Sequence, residues 1–122
     1  MTLKHGDVFR ASEEPRHMWV ALFDEDRNDD GLLLVNFTTL RDDSVDETCI
    51  LEPADYPPFI KHKTTIAYSM AKVGKRSQMV AAVRNRLFLE LNSLPPVTLG
   101  KIIAGARASD ELSKAKKALL PQ

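Results

Sequence analysis

The chain holds one cysteine, Cys49, so no disulfide can form within it. No apolar run approaches the roughly 18 residues that would cross a bilayer. The opening stretch MTLKHGDVFR lacks the apolar h-region that a signal peptide carries, and a cytoplasmic protein is expected. There is no glycine-rich phosphate loop, no pair of cysteines at metal-ligand spacing and no Ser-His-Asp signal, which removes the function classes that those motifs mark. Internal repeats and low-complexity linkers are missing too. What is there is 122 residues, enough for a single domain over 1–122 that buries its own core without a structural metal.

Net charge is zero, but its distribution is uneven. Residues 1–72 carry 8 Lys and Arg against 14 Asp and Glu, whereas residues 73–122 carry 9 against 3. A basic C-terminal segment attracts phosphate, and an acidic partner segment limits non-specific binding to nucleic acid. Alternatively the two halves neutralise each other on one small surface.

Apolar and β-branched runs predict strands at Asp7–Arg10, Met18–Asp24, Leu32–Thr38, Thr48–Leu51 and Thr64–Ser69. The second and third flank DEDRNDDG, a polar turn that makes them a hairpin. Asp26, Asn28, Asp30 and Gly31 fit the first positions of a calcium loop, but the closing position is Phe37 instead of a bidentate Glu, so the acids read as a solvated tip. Pro57 and Pro58 make ADYPPF a rigid turn. Five short strands within residues 1–70 suggest a small antiparallel barrel. After a break at Gly74, Ser77–Arg84 reads as a helix with Ser77 at its N-cap, and Arg86–Leu91 as a possible last strand. A helix then starts at Pro95-Pro96, with Leu99, Ile102, Ile103 and Ala106 on its apolar face. A final amphipathic helix is expected from Ser109, followed by acids and ending in lysines. The fold class is therefore mainly β with C-terminal α: a barrel followed by two or three helices.

The polar residues that stand out sit at strand ends. They are His17 before Trp19, the run Asn36-Phe37-Thr38-Thr39, Asp46-x-Thr48, and His62-x-Thr64 within PPFIKHKTT. A barrel gathers such ends on one rim, where binding surfaces are commonly built. Two histidines near hydroxyls and bases suit a general acid and a general base around a phosphodiester, because imidazole takes either role near neutral pH. Arg16, Arg41, Lys61 and Lys63 would neutralise phosphate charge. In an extended strand Lys61 and Lys63 would point away from His62.

The order Gly6-Asp7-Val8-Phe9, His17-Met18-Trp19-Val20-Ala21-Leu22, Val35-Asn36-Phe37-Thr38-Thr39 and Thr65-Ile66-Ala67-Tyr68 resembles the MazF/PemK family of toxin endoribonucleases, over about the first 70 residues. The resemblance implies a small Src-homology-3-like barrel and metal-independent cleavage of single-stranded RNA without a cofactor. It also implies a homodimer and an antitoxin partner. The catalytic Thr of that family falls on Thr38, and its catalytic Arg on His17 or, one position earlier, Arg16. The loop between the first two strands is shortened here to ASEEPR and no Arg-Pro follows it, which leaves His62 to supply a missing role. His17, Thr38 and His62 are thus the catalytic candidates. Arg16, Trp19, Asn36, Thr39, Arg41, Lys61, Lys63 and Thr64 are the substrate-binding ones. Two other functions compete. One is a non-catalytic barrel that binds protein or nucleic acid through the same rim; the other is a metal site drawn from His5, Asp7, His17 and His62.

Overall fold

The computed structural model describes residues 2–43, 46–57 and 59–121. Six strands, β1 (Val8–Ala11), β2 (Met18–Leu22), β3 (Gly31–Thr39), β4 (Ile50–Leu51), β5 (Thr64–Lys75) and β6 (Phe88–Glu90), form one antiparallel sheet in the order β4-β5-β3-β2-β1-β6. The helices are α1 (Arg76–Arg84), α2 (Pro96–Ala108) and α3 (Lys114–Lys117). Mainly β followed by C-terminal helices is therefore the observed class. The sheet is open, with β4 and β6 as its edges. No helix among the described residues is long and apolar enough to cross a membrane.

Alternation along the strands gives the sheet two different faces. Val8, Val20, Leu22, Leu33, Val35, Phe37, Leu51, Ile66 and Tyr68 line the main core, which Ile102 and Ala106 of α2 close from above. Phe9, Ala21, Phe23 and Leu32 form a smaller cluster with Met79 of α1 on the opposite face. Between the pairs Leu34↔Lys72 and Asn36↔Ala67 the register jumps, so that residues 68–71 of β5 lie opposite Val35 alone. A bulge of this size bends the strand and curls the sheet. It also carries β5 through Gly74 to Lys75, past the break expected there.

Two local expectations are corrected. Ser77 does not cap α1: the helix starts one residue earlier, and Asp30 of the hairpin tip accepts hydrogen bonds from the Ser77 amide (3.0 Å) and hydroxyl. The acids of the tip are exposed, as expected of a solvated turn, but the tip is tied to α1 by these bonds. Arg76 donates from Nη2 to the Asp24 carbonyl (2.9 Å) and from Nε to the Gly31 carbonyl (3.1 Å), with its guanidinium carbon 4.3 Å from the Phe23 ring centroid. Arg27 Nη1 reaches the Ala118 carbonyl at 2.7 Å. Finally, Ser109 ends α2 instead of starting a helix; the following segment is mostly irregular until Ser113 caps α3, its hydroxyl accepting from the Lys116 amide at 3.2 Å. Ser109 is fully buried; its hydroxyl donates to Asp46 and accepts from the Glu111 amide at 3.0 Å, a cap-like bond that no helix follows.

Helix α2 sits close to the sheet because Gly105 has no side chain. A Cβ there would stand 2.5 Å from the Tyr68 hydroxyl and 2.7 Å from Cys49 Cβ. That proximity lets the Tyr68 hydroxyl donate to the Ile102 carbonyl at 2.7 Å. Burial pushes both the Tyr68 hydroxyl and the Cys49 thiol upward in pKa, so both stay protonated at neutral pH.

Candidate functional site

The end of β3 separates two cavities. The first, about 240 Å³, is lined by Met18, Phe37, Thr38, Thr39, Phe59, Ile60, Lys61, His62 and Thr64. Its apolar floor follows from strand alternation, which turns Phe37 toward the main core. There Phe37 lies nearly parallel to Tyr56, with centroids 6.2 Å apart, and Tyr56 packs on Phe59 at 5.0 Å. Tyr56 is itself held from behind, its hydroxyl donating to the Asn92 carbonyl; burial raises its pKa to about 12, against a small lowering by Arg10. Phe59 and Ile60 are positioned by their amides, which both donate to the Tyr56 carbonyl at 3.0 Å. Pro58, part of the expected rigid turn, lies outside the described residues.

Lys61 and His62 both line this cavity, although strand alternation placed them on opposite faces. The reason is that β5 begins only at Thr64, so residues 61–63 form a bend with no alternation to obey. The bend is fixed where the Thr64 hydroxyl donates to the His62 carbonyl at 2.9 Å. Lys63 turns away and its Nζ lies 3.7 Å from Glu52 Oε1. Both histidines of the expected pair are exposed, but only His62 is in the cavity. His17 instead presents an edge contact to Trp19, centroids 6.4 Å apart. Arg16 is exposed beside Glu14, its Nε 3.8 Å from Oε1.

The second cavity, about 300 Å³, is lined by Thr38, Thr39, Arg41, Asp43, Asp46, Thr65, Ala67, Ser69 and Met70. Asp46, singled out at a strand end but not among the catalytic or substrate-binding candidates, anchors its wall. Burial would raise the Asp46 carboxyl, but hydrogen bonds from the Ser109 hydroxyl and from the hydroxyl and amide of Thr48 outweigh it and hold the group below the ordinary carboxylate range. Thr65 donates to the Asp46 carbonyl at 2.6 Å and ties this loop to β5. Asn36 pairs across the sheet with Trp19 on one side and Ala67 on the other. Its buried Oδ1 has no hydrogen-bond partner, the only such side-chain atom among the described residues. Lys72 covers Trp19, its Nζ 5.1 Å from the ring centroid.

The candidates thus divide between the two faces of the sheet. Thr38, Thr39, Lys61, His62 and Thr64 converge on the first cavity. Trp19 and Asn36 belong to the opposite face, where Arg41 lines the second cavity. His5 and Asp7 have structural partners: His5 Nδ1 accepts from the Phe23 amide (3.2 Å), and Asp7 accepts from the Lys4 amide (2.8 Å) and the Ser93 hydroxyl (3.1 Å). Among the described residues, no three His, Cys, Asp or Glu side chains converge as a ligand set. The fold and site define a curled antiparallel sheet bearing a cavity with an aromatic floor and a polar, cationic rim. No protein-family model matches the chain, and no curated protein does.

Proposed function

We propose that the chain is a metal-independent endoribonuclease of the MazF/PemK kind, acting on single-stranded RNA in the first cavity. The observation that carries this reading is the joining, in one cavity, of Phe37 and Phe59 with Lys61, His62, Thr38, Thr39 and Thr64. An aromatic floor suits an unstacked base, and cations suit the adjoining phosphate. In the reaction the ribose 2′-oxygen attacks phosphorus, the bond to the 5′-oxygen breaks, and a cyclic phosphate remains. One proton leaves the 2′-hydroxyl and another reaches the departing oxygen. His62 carries one of these transfers and water the other, the Thr38 and Thr39 hydroxyls donate to the non-bridging oxygens, and Lys61 offsets the growing charge. In the same reading the sheet corresponds to a small Src-homology-3-like barrel, left open between β4 and β6, and the register shift at residues 68–71 of β5 supports its curvature. The homodimer and the antitoxin partner rest on the family resemblance.

A non-catalytic RNA-binding module is the second reading, favoured by the position of His17 against Trp19 instead of in the cavity. Incubating single-stranded RNA with wild type and His62→Ala, with and without EDTA, separates the two. The enzyme reading expects wild-type cleavage to cyclic-phosphate ends in EDTA, no cleavage of DNA, and a loss of about 10²–10⁴-fold in His62→Ala. RNA that is bound but left intact by the wild type supports the binding module. Cleavage abolished by EDTA, or undiminished in His62→Ala, contradicts the proposed mechanism.

A further inference from the structure

Resting on the reading of the first cavity as an RNA site, we infer that the second cavity is a subsite for the base of the adjacent nucleotide, so that the recognised unit is a dinucleotide step lying across Thr38-Thr39. The two cavities share these residues as a common wall, and both threonines are exposed. Successive residues of a strand point to opposite faces. One hydroxyl therefore serves each side of the ridge, and a chain crossing it places one base in each cavity and its phosphate over the ridge.

The chemistry of the linings distinguishes the two. The first cavity has aromatic rings and Lys61. The second has no aromatic ring; its exposed acceptors are the Asp43 carboxylate and the Ser69 hydroxyl, and its wall holds the buried Asp46 carboxylate. Carboxylates repel phosphate, so the backbone stays on the ridge between Lys61 and Arg41 and only the base descends. A base that donates from an exocyclic amino group, cytosine or adenine, is the match for such a lining.

The test is an amide-resolved NMR titration with uridine 5′-monophosphate and with a dinucleotide of uridine and cytidine whose first sugar is 2′-deoxy, so that it cannot be cleaved. The mononucleotide should shift the amides of Thr39, Phe59, Ile60, His62 and Thr64. The dinucleotide should shift these and also Thr65, Ala67, Ser69 and Met70, and should bind more tightly. Ser69→Leu, a change at an exposed position that fills the second cavity, should lower dinucleotide affinity roughly tenfold, to that of the mononucleotide, while leaving the mononucleotide unaffected. A dinucleotide that shifts only the first set, or binds Ser69→Leu as well as wild type, overturns the second subsite and leaves the first standing. No shift at either cavity removes the RNA reading, and this inference with it.

Discussion

Asp46 is, in the sequence, merely a polar residue opening a strand, and its role is set by Ser109, 63 positions away. No local pattern announces such a pair, because it depends on how α2 ends against the sheet. The same holds for His62: its residue type marked it as a candidate, but its face could not be read from alternation in a segment that is not a strand. Removing the Ser109 hydroxyl leaves a buried carboxylate short of one donor, so Ser109→Ala should cost about 1–3 kcal/mol in urea denaturation at neutral pH. The folded-state pKa of Asp46 lies below its unfolded value. Its stabilisation is therefore fully present above the ordinary carboxylate pKa of about 4 and is lost as pH falls through the folded value. The gap between wild type and Ser109→Ala should accordingly narrow below about pH 4. A variant as stable as wild type, or a gap unchanged by pH, would show that the Asp46–Ser109 bond does not stabilise the fold.

At the scale of elements, the strands were legible because apolar alternation is local. Met18–Leu22 and Gly31–Thr39 fall within two residues of the expected limits. Helix starts were less so. Asp30 takes the capping role expected of Ser77 from a hairpin tip 47 residues earlier, and Ser109 is drawn into the Asp46 network. The division of the site between two faces follows from the same alternation that revealed the strands; treating strand ends as one rim overlooked it. The docking of α2 supplies a test. In Gly105→Ala the new methyl meets Tyr68 and Cys49 at less than van der Waals distance. The fold must then shift α2 or give up the Tyr68–Ile102 hydrogen bond, at a cost of about 1–3 kcal/mol in chemical denaturation. Neutral behaviour would mean that α2 does not rest against the sheet at this point.

Across the whole molecule, the charge asymmetry is partly absorbed internally. Lys101 Nζ is 2.9 Å from Asp55 Oδ1, and Arg76 Nη2 is 3.8 Å from Asp29 Oδ1, each joining the basic segment to the acidic one. Other basic residues hold backbone: Lys116 Nζ reaches the Ala71 carbonyl at 2.9 Å and Lys117 Nζ the Arg107 carbonyl at 2.8 Å. Arg76 and Lys101 are thus paired with the acidic half, and the cation that lines the first cavity, Lys61, comes from that acidic half. A basic C-terminal segment is not needed to bring phosphate to the site. The aromatic floor matters more, and Phe59 is its accessible part. The most direct measurement is the affinity of a cleavage-resistant single-stranded RNA for wild type and Phe59→Ala, at fixed salt and with matched thermal melts. The expected result is binding by the wild type that weakens by about 1–3 kcal/mol in the variant, the size of one lost base–aromatic stack. Equal affinity in the two proteins, or no binding by the wild type, would contradict the assignment of this cavity to RNA.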